Sequence, residues 1–424
     1  MSNTGLRFAL FTTFYPPYHF GGDANYVRQL AHVLVKRGHE VDIIHDIDAY
    51  QLLSDNPNPA PLEEPKGITV YGLRSRIGGI SCFLTQQLGY PIVHRKEIKN
   101  LLKTRNHDVI HFHNASLVSG LGGLAYGDAV KLYTAHEHWL VCPTHVLWRH
   151  NREVCTEKQC LRCVINYKRP PQIWRKTGLL KRKGKSIDQF CSPSHFSAAK
   201  HKSYGFPFEM QVLPSFIPDM DELQTSGENT KPYFLIVGRL EKIKGIQDVI
   251  PLFSDDINAE LWIAGTGDYG THLKNLAKGK KNIKFLGQVP LQTLRPLYAN
   301  AIAAIMPSIC YEVFPLVVLE AFREKTPIIV RQLGPYTEIV EHSKGGLLFN
   351  SDESFKDAIQ KLTNSDSLRQ ELGRNGFQAY QETWSEHASM SEYFKLIRKF
   401  AKQRNKHHTM EILNNCSPDG YVSK

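Results

Sequence analysis

Short apolar runs alternate along this chain with longer stretches of helical periodicity. Residues 8–14 form the first run, and a loop carrying Pro16, Pro17, Gly21 and Gly22 follows it. Ala24, Val27, Leu30, Ala31 and Leu34 then recur at the spacing of one helix face, and Gly38 marks the end of that helix. Further strand-like runs occupy 41–44, 109–112 and 131–134, with 187–191 less sharply bounded. This alternation predicts a parallel sheet with right-handed crossovers. The polar stretch 221–231 interrupts it and reads as a linker or insertion. Beyond it the rhythm resumes, with strands predicted at 234–237, 261–264, 283–286, 303–306 and 328–330 and a helix at 316–324. A second doubly wound domain is therefore expected. The segment 385–402 has helical periodicity, and the residues after 404 read as a frayed tail. The pattern divides the chain into 1–215, 216–384 and a C-terminal helix and tail, 385–424, packing back toward the first domain. Open parallel sheets bind ligands at the C-terminal ends of their strands, so both domains are expected to face a cleft there.

Length agrees with two domains, since 424 residues exceed one ordinary core. Apolar residues at 42% and charged residues at 22% describe a globular chain and exclude bulk disorder. The run at 8–14 is too short for a signal sequence, and nowhere is there an apolar stretch of the roughly 18 residues a membrane span needs. A cytoplasmic protein is expected, with eight cysteines read as reduced thiols.

Net charge is +11, unevenly spread. Between 168 and 185 lie Lys168, Arg169, Arg175, Lys176, Lys181, Arg182, Lys183 and Lys185, with no acidic residue among them. Such a run is either a solvated face or a surface for anionic lipid head groups, at the inner face of a membrane, or for a phosphate-bearing acceptor. No nucleic-acid recognition motif accompanies it, so no nucleic-acid partner is expected.

The most specific chemistry lies in Glu312-Val-Phe-Pro-Leu-Val-Val-Leu-Glu320. It follows a predicted strand, and Pro315 suits a helix start because it lacks an N–H. First-turn amides at Leu316 and Val317 can then hold a phosphate, aided by the helix dipole. Two carboxylates flanking an anion site suit a sugar nucleotide, whose hydroxyls each can bind. Arg239 and Lys244 follow another buried strand, where a fork and a point charge suit a diphosphate. His136 has His111, His113, His138 and His145 for neighbours, and spacing does not single it out. Gly265-Thr-Gly267-Asp-Tyr-Gly270 matches a dinucleotide fingerprint, but no acidic residue ends the next strand, and the loop reads as lining for a nucleotide pocket.

Taken in order, these segments resemble glycosyltransferase family 4, a retaining family with the GT-B fold of two Rossmann-like doubly wound domains facing a cleft. The resemblance rests on Glu312 and Glu320 with seven residues between them, on Gly21-Gly22, on Ala135-His136-Glu137, and on Gly238-Arg239-Leu240 with Lys244-Gly245. It implies that Arg239 and Lys244 neutralise the donor diphosphate, Glu320 binds ribose hydroxyls, and Glu312 holds the transferred sugar. Gly21 and Gly22 would let backbone amides approach a phosphate or acceptor, and His136 would contact the sugar near the reacting carbon. The implied donor is a UDP- or GDP-linked sugar, the acceptor a glycan or lipid-linked glycan, and no catalytic metal is required. The chain departs from the family pattern at Ser215, where relatives carry asparagine, and at Pro315, where glycine is common. Two other readings share the fold: a sugar-nucleotide epimerase, and a non-catalytic subunit that binds nucleotide or glycan.

The cysteines give a separate signal. Cys142, Cys155, Cys160 and Cys163 fall within 22 residues, and a C-x2-C pair with two nearby thiols can reach a structural Zn2+. Four unligated thiols and, less favoured, an iron–sulfur cluster are the alternatives.

Overall fold

The computed structural model describes residues 5–56, 58–220, 231–254 and 256–422. The expected linker at 221–231 lies, apart from Lys231, outside them. The chain divides into two compact units: 1–146, 157–214 and 387–424 form the first, 147–156 and 215–386 the second.

Strands β1 (Arg7–Thr12), β2 (Glu40–Asp46), β3 (Ile68–Leu73), β4 (Val109–Asn114) and β5 (Val130–Thr134) are followed by a short antiparallel pair, β6 (Trp148–Arg149) and β7 (Glu153–Val154), then by β8 (Gln189–Ser192) and β9 (Met210–Val212). The first unit is a seven-stranded sheet in the order β3-β2-β1-β4-β5-β8-β9, parallel throughout. β4 and β5 are buried along their whole length, which a sheet covered on both faces requires. The expected helix after β1 spans Gly22–Lys36 and turns Ala24, Val27, Leu30 and Leu34 inward.

The second unit carries β10 (Tyr233–Val237), β11 (Glu260–Ala264), β12 (Ile283–Gly287), β13 (Ala304–Met306), β14 (Ile328–Arg331) and β15 (Gly346–Phe349), ordered β12-β11-β10-β13-β14-β15 and parallel. Separate apolar clusters cover its two faces, one around Phe234, Ile263 and Phe355, the other around Leu235, Phe322 and Trp384. In both units the strand order reverses beside the first strand, at β1/β4 and β10/β13, which is where such sheets open to ligands.

The tail differs from the expectation of fraying. The helix Glu386–Gln403 is followed by a second, His407–Asn414, and the chain continues in contact with the first unit as far as Val422. Val422 donates its amide to Arg37 O at 3.0 Å. The guanidinium of Arg37, almost fully buried, donates to Asp419 O at 3.0 Å and lies 3.6 Å from its carboxylate. His39 bridges Leu6 N and Gly420 O. A charge buried at Arg37 requires this partner, so the last residues are structural. Removing residues 417–424 is expected to cost about 2–5 kcal/mol. A urea denaturation midpoint equal to that of the full chain would contradict it.

Candidate functional site

In the second unit β10 ends at Val237 and runs directly into Gly238 and Arg239. Leu240 N donates to Thr266 O at 2.9 Å and Tyr269 N to Leu240 O at 2.9 Å, so the loops after β10 and β11 are laced together. A Cβ on Gly265 would stand 1.9 Å from Gly238 O, and one on Gly267 2.6 Å from Leu240 O. The glycines of that fingerprint therefore let two backbones touch.

A 3-10 turn, Lys242–Lys244, comes next and ends at Gly245 with φ +71°. A Cβ there would lie 2.0 Å from Pro307 O, and Ile309 N donates to Ile243 O at 2.9 Å. This close approach seats the turn on the loop that leaves β13. Lys244 Nζ consequently lies 2.7 Å from Glu312 Oε1, which also accepts from Ser308 Oγ at 2.8 Å. Tyr336 OH donates to Ser308 Oγ at 3.4 Å. Burial opposes the charge on Glu312, but Lys244 and Ser308 outweigh it and hold its carboxyl below the ordinary range. Burial likewise disfavours the ammonium of Lys244, and Glu312 overcomes it, raising the pKa. Arg239 is 55% exposed, sits 2.6 Å from Glu241, and is near enough to act electrostatically on both members of the pair.

The helix Leu316–Arg323 begins one residue after Pro315. First-turn amides such as those of Leu316 and Val317 have no intrahelical acceptor. Val318, Leu319, Ala321 and Phe322 face the core, and Glu320 is left on the flank of the helix. There it accepts from Tyr298 OH at 2.9 Å. Burial raises its pKa, partly offset by that hydrogen bond and by Arg323.

In the first unit, Gly21 caps the helix Gly22–Lys36 in an extended conformation, and a Cβ on Gly22 would meet nothing within 4 Å. Asp23 accepts from Asn114 Nδ2 at 3.4 Å, tying the glycine turn to the end of β4. His136, just past β5, meets His113 through Nε2···Nδ1 at 2.9 Å and packs against the Tyr26 ring with centroids 4.9 Å apart. Burial lowers the His136 pKa to about 4 against a rise due to Asp23, so the ring is neutral at pH 7. His111, held by Tyr393 OH and Thr134 Oγ1 at 2.9 and 2.8 Å, is a structural histidine.

Sequence reasoning missed Ser308, Tyr336, Tyr298 and Asp23, and named His113 only as a neighbour of His136. Only Asp23 had a visible signal, its place directly after the two glycines; the others meet their partners through the fold.

Zinc is not shown at the four cysteines. Among the described residues no group of three or more His, Cys, Asp or Glu side chains is placed to hold a metal ion. Cys142 is buried, its Sγ 3.3 Å from Thr144 Oγ1, while Cys160 is exposed where it opens the helix Cys160–Asn166. Cys155 falls in the 147–156 segment of the second unit, and none of the four is in a disulfide. Burial raises the Cys160 pKa, and Cys142 and Cys163 lie near enough to raise it further. Arg175 also leaves the basic surface: it donates to Trp139 O and to Leu140 O at 3.4 Å, and burial lowers its pKa to about 10.

Two family models match the chain: "Glycosyltransferase Family 4" over residues 20–219 and "Glycosyl transferases group 1" over 221–379. An uncharacterised glycosyltransferase of Methanocaldococcus jannaschii is 27% identical over 377 residues, covering 81% of this chain and 84% of its own. Among solved structures, sucrose-phosphate synthase of Thermosynechococcus elongatus superposes with a TM-score of 0.70 at 20% identity, over 94% of this chain and 100% of that one. HepE of Anabaena, in complex with UDP and glucose, superposes at 0.60 and 14% identity, over 94% and 99%. Among the described residues no helix is long and apolar enough to cross a membrane.

Gly245→Ala is expected to lose about 2–4 kcal/mol, because the methyl meets Pro307 O in a left-handed backbone. Gly22→Ala, where the space is open, should stay within about 1 kcal/mol of wild type. Equal urea midpoints for the two variants would contradict this reading. Burial lowers His39, His45, His136 and His201 to about 4 and His111 to about 3, from 6.5. The unfolded chain therefore binds more protons below pH 6.5, so the stability they contribute is complete above 6.5 and lost as pH falls toward 4. Thermal melts followed by circular dichroism should show Tm falling across that window; a level Tm would refute it.

Proposed function

Because the chain belongs to the family 4 glycosyltransferases, we propose that it moves a sugar from a nucleoside diphosphate to a hydroxyl of a glycan or lipid-linked glycan, with retention of anomeric configuration. The observation that carries this reading is the Lys244–Glu312–Ser308 cluster on the loop leading to the helix Leu316–Arg323. Cleavage of the anomeric bond leaves negative charge on the diphosphate and oxocarbenium character on the sugar. Preorganised donors stabilise the first most strongly where water is excluded. Lys244, Arg239 and the amides of Leu316 and Val317 take that part. Glu320 accepts from ribose hydroxyls, with Tyr298 fixing its orientation, and Glu312 accepts from the transferred sugar.

On the first unit, Gly21 and Gly22 admit the phosphate or acceptor to the backbone, and neutral His136 meets the sugar near the reacting carbon. A UDP- or GDP-linked donor is proposed, the former supported by the UDP and glucose bound to HepE. Retention follows from departure and attack on the same face, with the leaving diphosphate taking the acceptor proton.

A thermal-shift panel of UDP-, GDP-, ADP- and dTDP-sugars on wild type and Glu320→Ala tests the donor site. One nucleotide class should stabilise wild type by about 2.7 kcal/mol at 100 times its Kd and leave the variant unshifted. NMR of the product linkage should show the donor's anomeric configuration. No shift with any donor, or an inverted product, overturns the assignment.

A further inference from the structure

The first unit exposes an apolar strip that none of its described elements covers. The helix Gly79–Leu88 buries Ser81, Cys82, Thr85 and Gln87 and turns Ile80 and Phe83 outward, 59% and 49% exposed. Leu88 continues this face at the C-terminal end of the helix, and Ile92 and Val93 extend it into the next loop. At the other end Leu52, also exposed, lies against Gly79.

The basic segment is fastened to this strip. Trp174 Nε1 donates to Gln86 O at 3.0 Å, and Trp174 and Leu179 pack on Gly89. Lys183 Nζ stands 5.9 Å from the centre of the Tyr90 ring. With the segment anchored through Trp174 and Leu179, exposed Ile173 joins the apolar strip, while Lys176, Lys181, Arg182 and Lys185 stay exposed. No acidic residue lies anywhere between 168 and 185.

We propose that the face formed by the helix Gly79–Leu88 and the segment 173–185 docks on an anionic lipid bilayer, with Ile80, Phe83 and Ile92 entering the head-group boundary and Lys176, Lys181, Arg182 and Lys185 contacting acidic lipids. Large apolar side chains projecting beside exposed lysines are the composition of interfacial anchors, in which long basic chains keep their charge at the head groups. A second copy of the chain is the weaker occupant, because the centres of protein interfaces are depleted in lysine and two such faces would set like charges opposite each other. The inference goes beyond sugar transfer and stands whether or not that reading holds.

Co-sedimentation of the full chain with vesicles of phosphatidylcholine, with and without phosphatidylglycerol, tests it and requires no donor or acceptor. Wild type should partition to the anionic vesicles only, less so as salt is raised. The double variant Lys181→Glu/Arg182→Glu should lower the partition coefficient at least about tenfold, since each basic residue near such a surface contributes on the order of 1 kcal/mol. Phe83→Ser should weaken it by a similar factor with an unchanged melting curve. Equal binding to neutral vesicles, or either variant binding as wild type does, overturns the proposal. So does a dimer in light scattering that Phe83→Ser dissolves while wild type ignores every vesicle.

Discussion

A partly buried ion pair, Lys244 with Glu312, is the constraint around which the second unit arranges its strand ends. Neither charge tolerates burial alone, and each is kept ionised by the other at 2.7 Å. The separation depends on a backbone contact that only glycine permits, Gly245 against Pro307 O. The loops after β10 and β13 are thereby locked, and the loop after β11 is drawn in through Gly265 and Gly267. A diphosphate competing for Lys244 would free Glu312 to accept hydroxyls, so phosphate and sugar recognition would be coupled through one carboxylate.

Where a strand is buried on both faces, composition alone reveals it. β1, β2, β4, β5, β10 and β11 were legible because a covered parallel sheet demands continuous apolar runs. β3 was not, since this edge strand exposes Thr69, Val70 and Gly72. β9 has three residues and β15 four, too few for a period to be seen. The site was legible to the extent that its members lie close in sequence or next to strand ends. Glu312, Glu320, Arg239 and Lys244 could be picked out, whereas Tyr298, 22 residues from Glu320, and Tyr336, 28 from Ser308, could not. The cysteines are a separate case, since Cys142 and Cys163 come within electrostatic reach of Cys160 while no metal-holding group forms among the described residues.

The basic run shows how one composition divides into different roles. Arg175 spends its charge on the carbonyls of Trp139 and Leu140 and stacks on Trp174, its guanidinium centre 4.3 Å from the ring centroid. Lys181 and Arg182, a helical turn or two away, remain in solvent. Burial, which sequence counts do not carry, separates the cation that holds the segment together from those left for a partner.

The first unit is assembled from both ends of the chain, while most of the second lies between them. Made from the N-terminus, the polypeptide presents β1 and β2 to the solvent long before Asp419 and Gly420 exist to satisfy Arg37 and His39. The second unit, in contrast, has all of its sequence in hand by residue 386. Synthesis thus delivers the later unit complete while the earlier one still waits for the segment from His387 onward that closes its core.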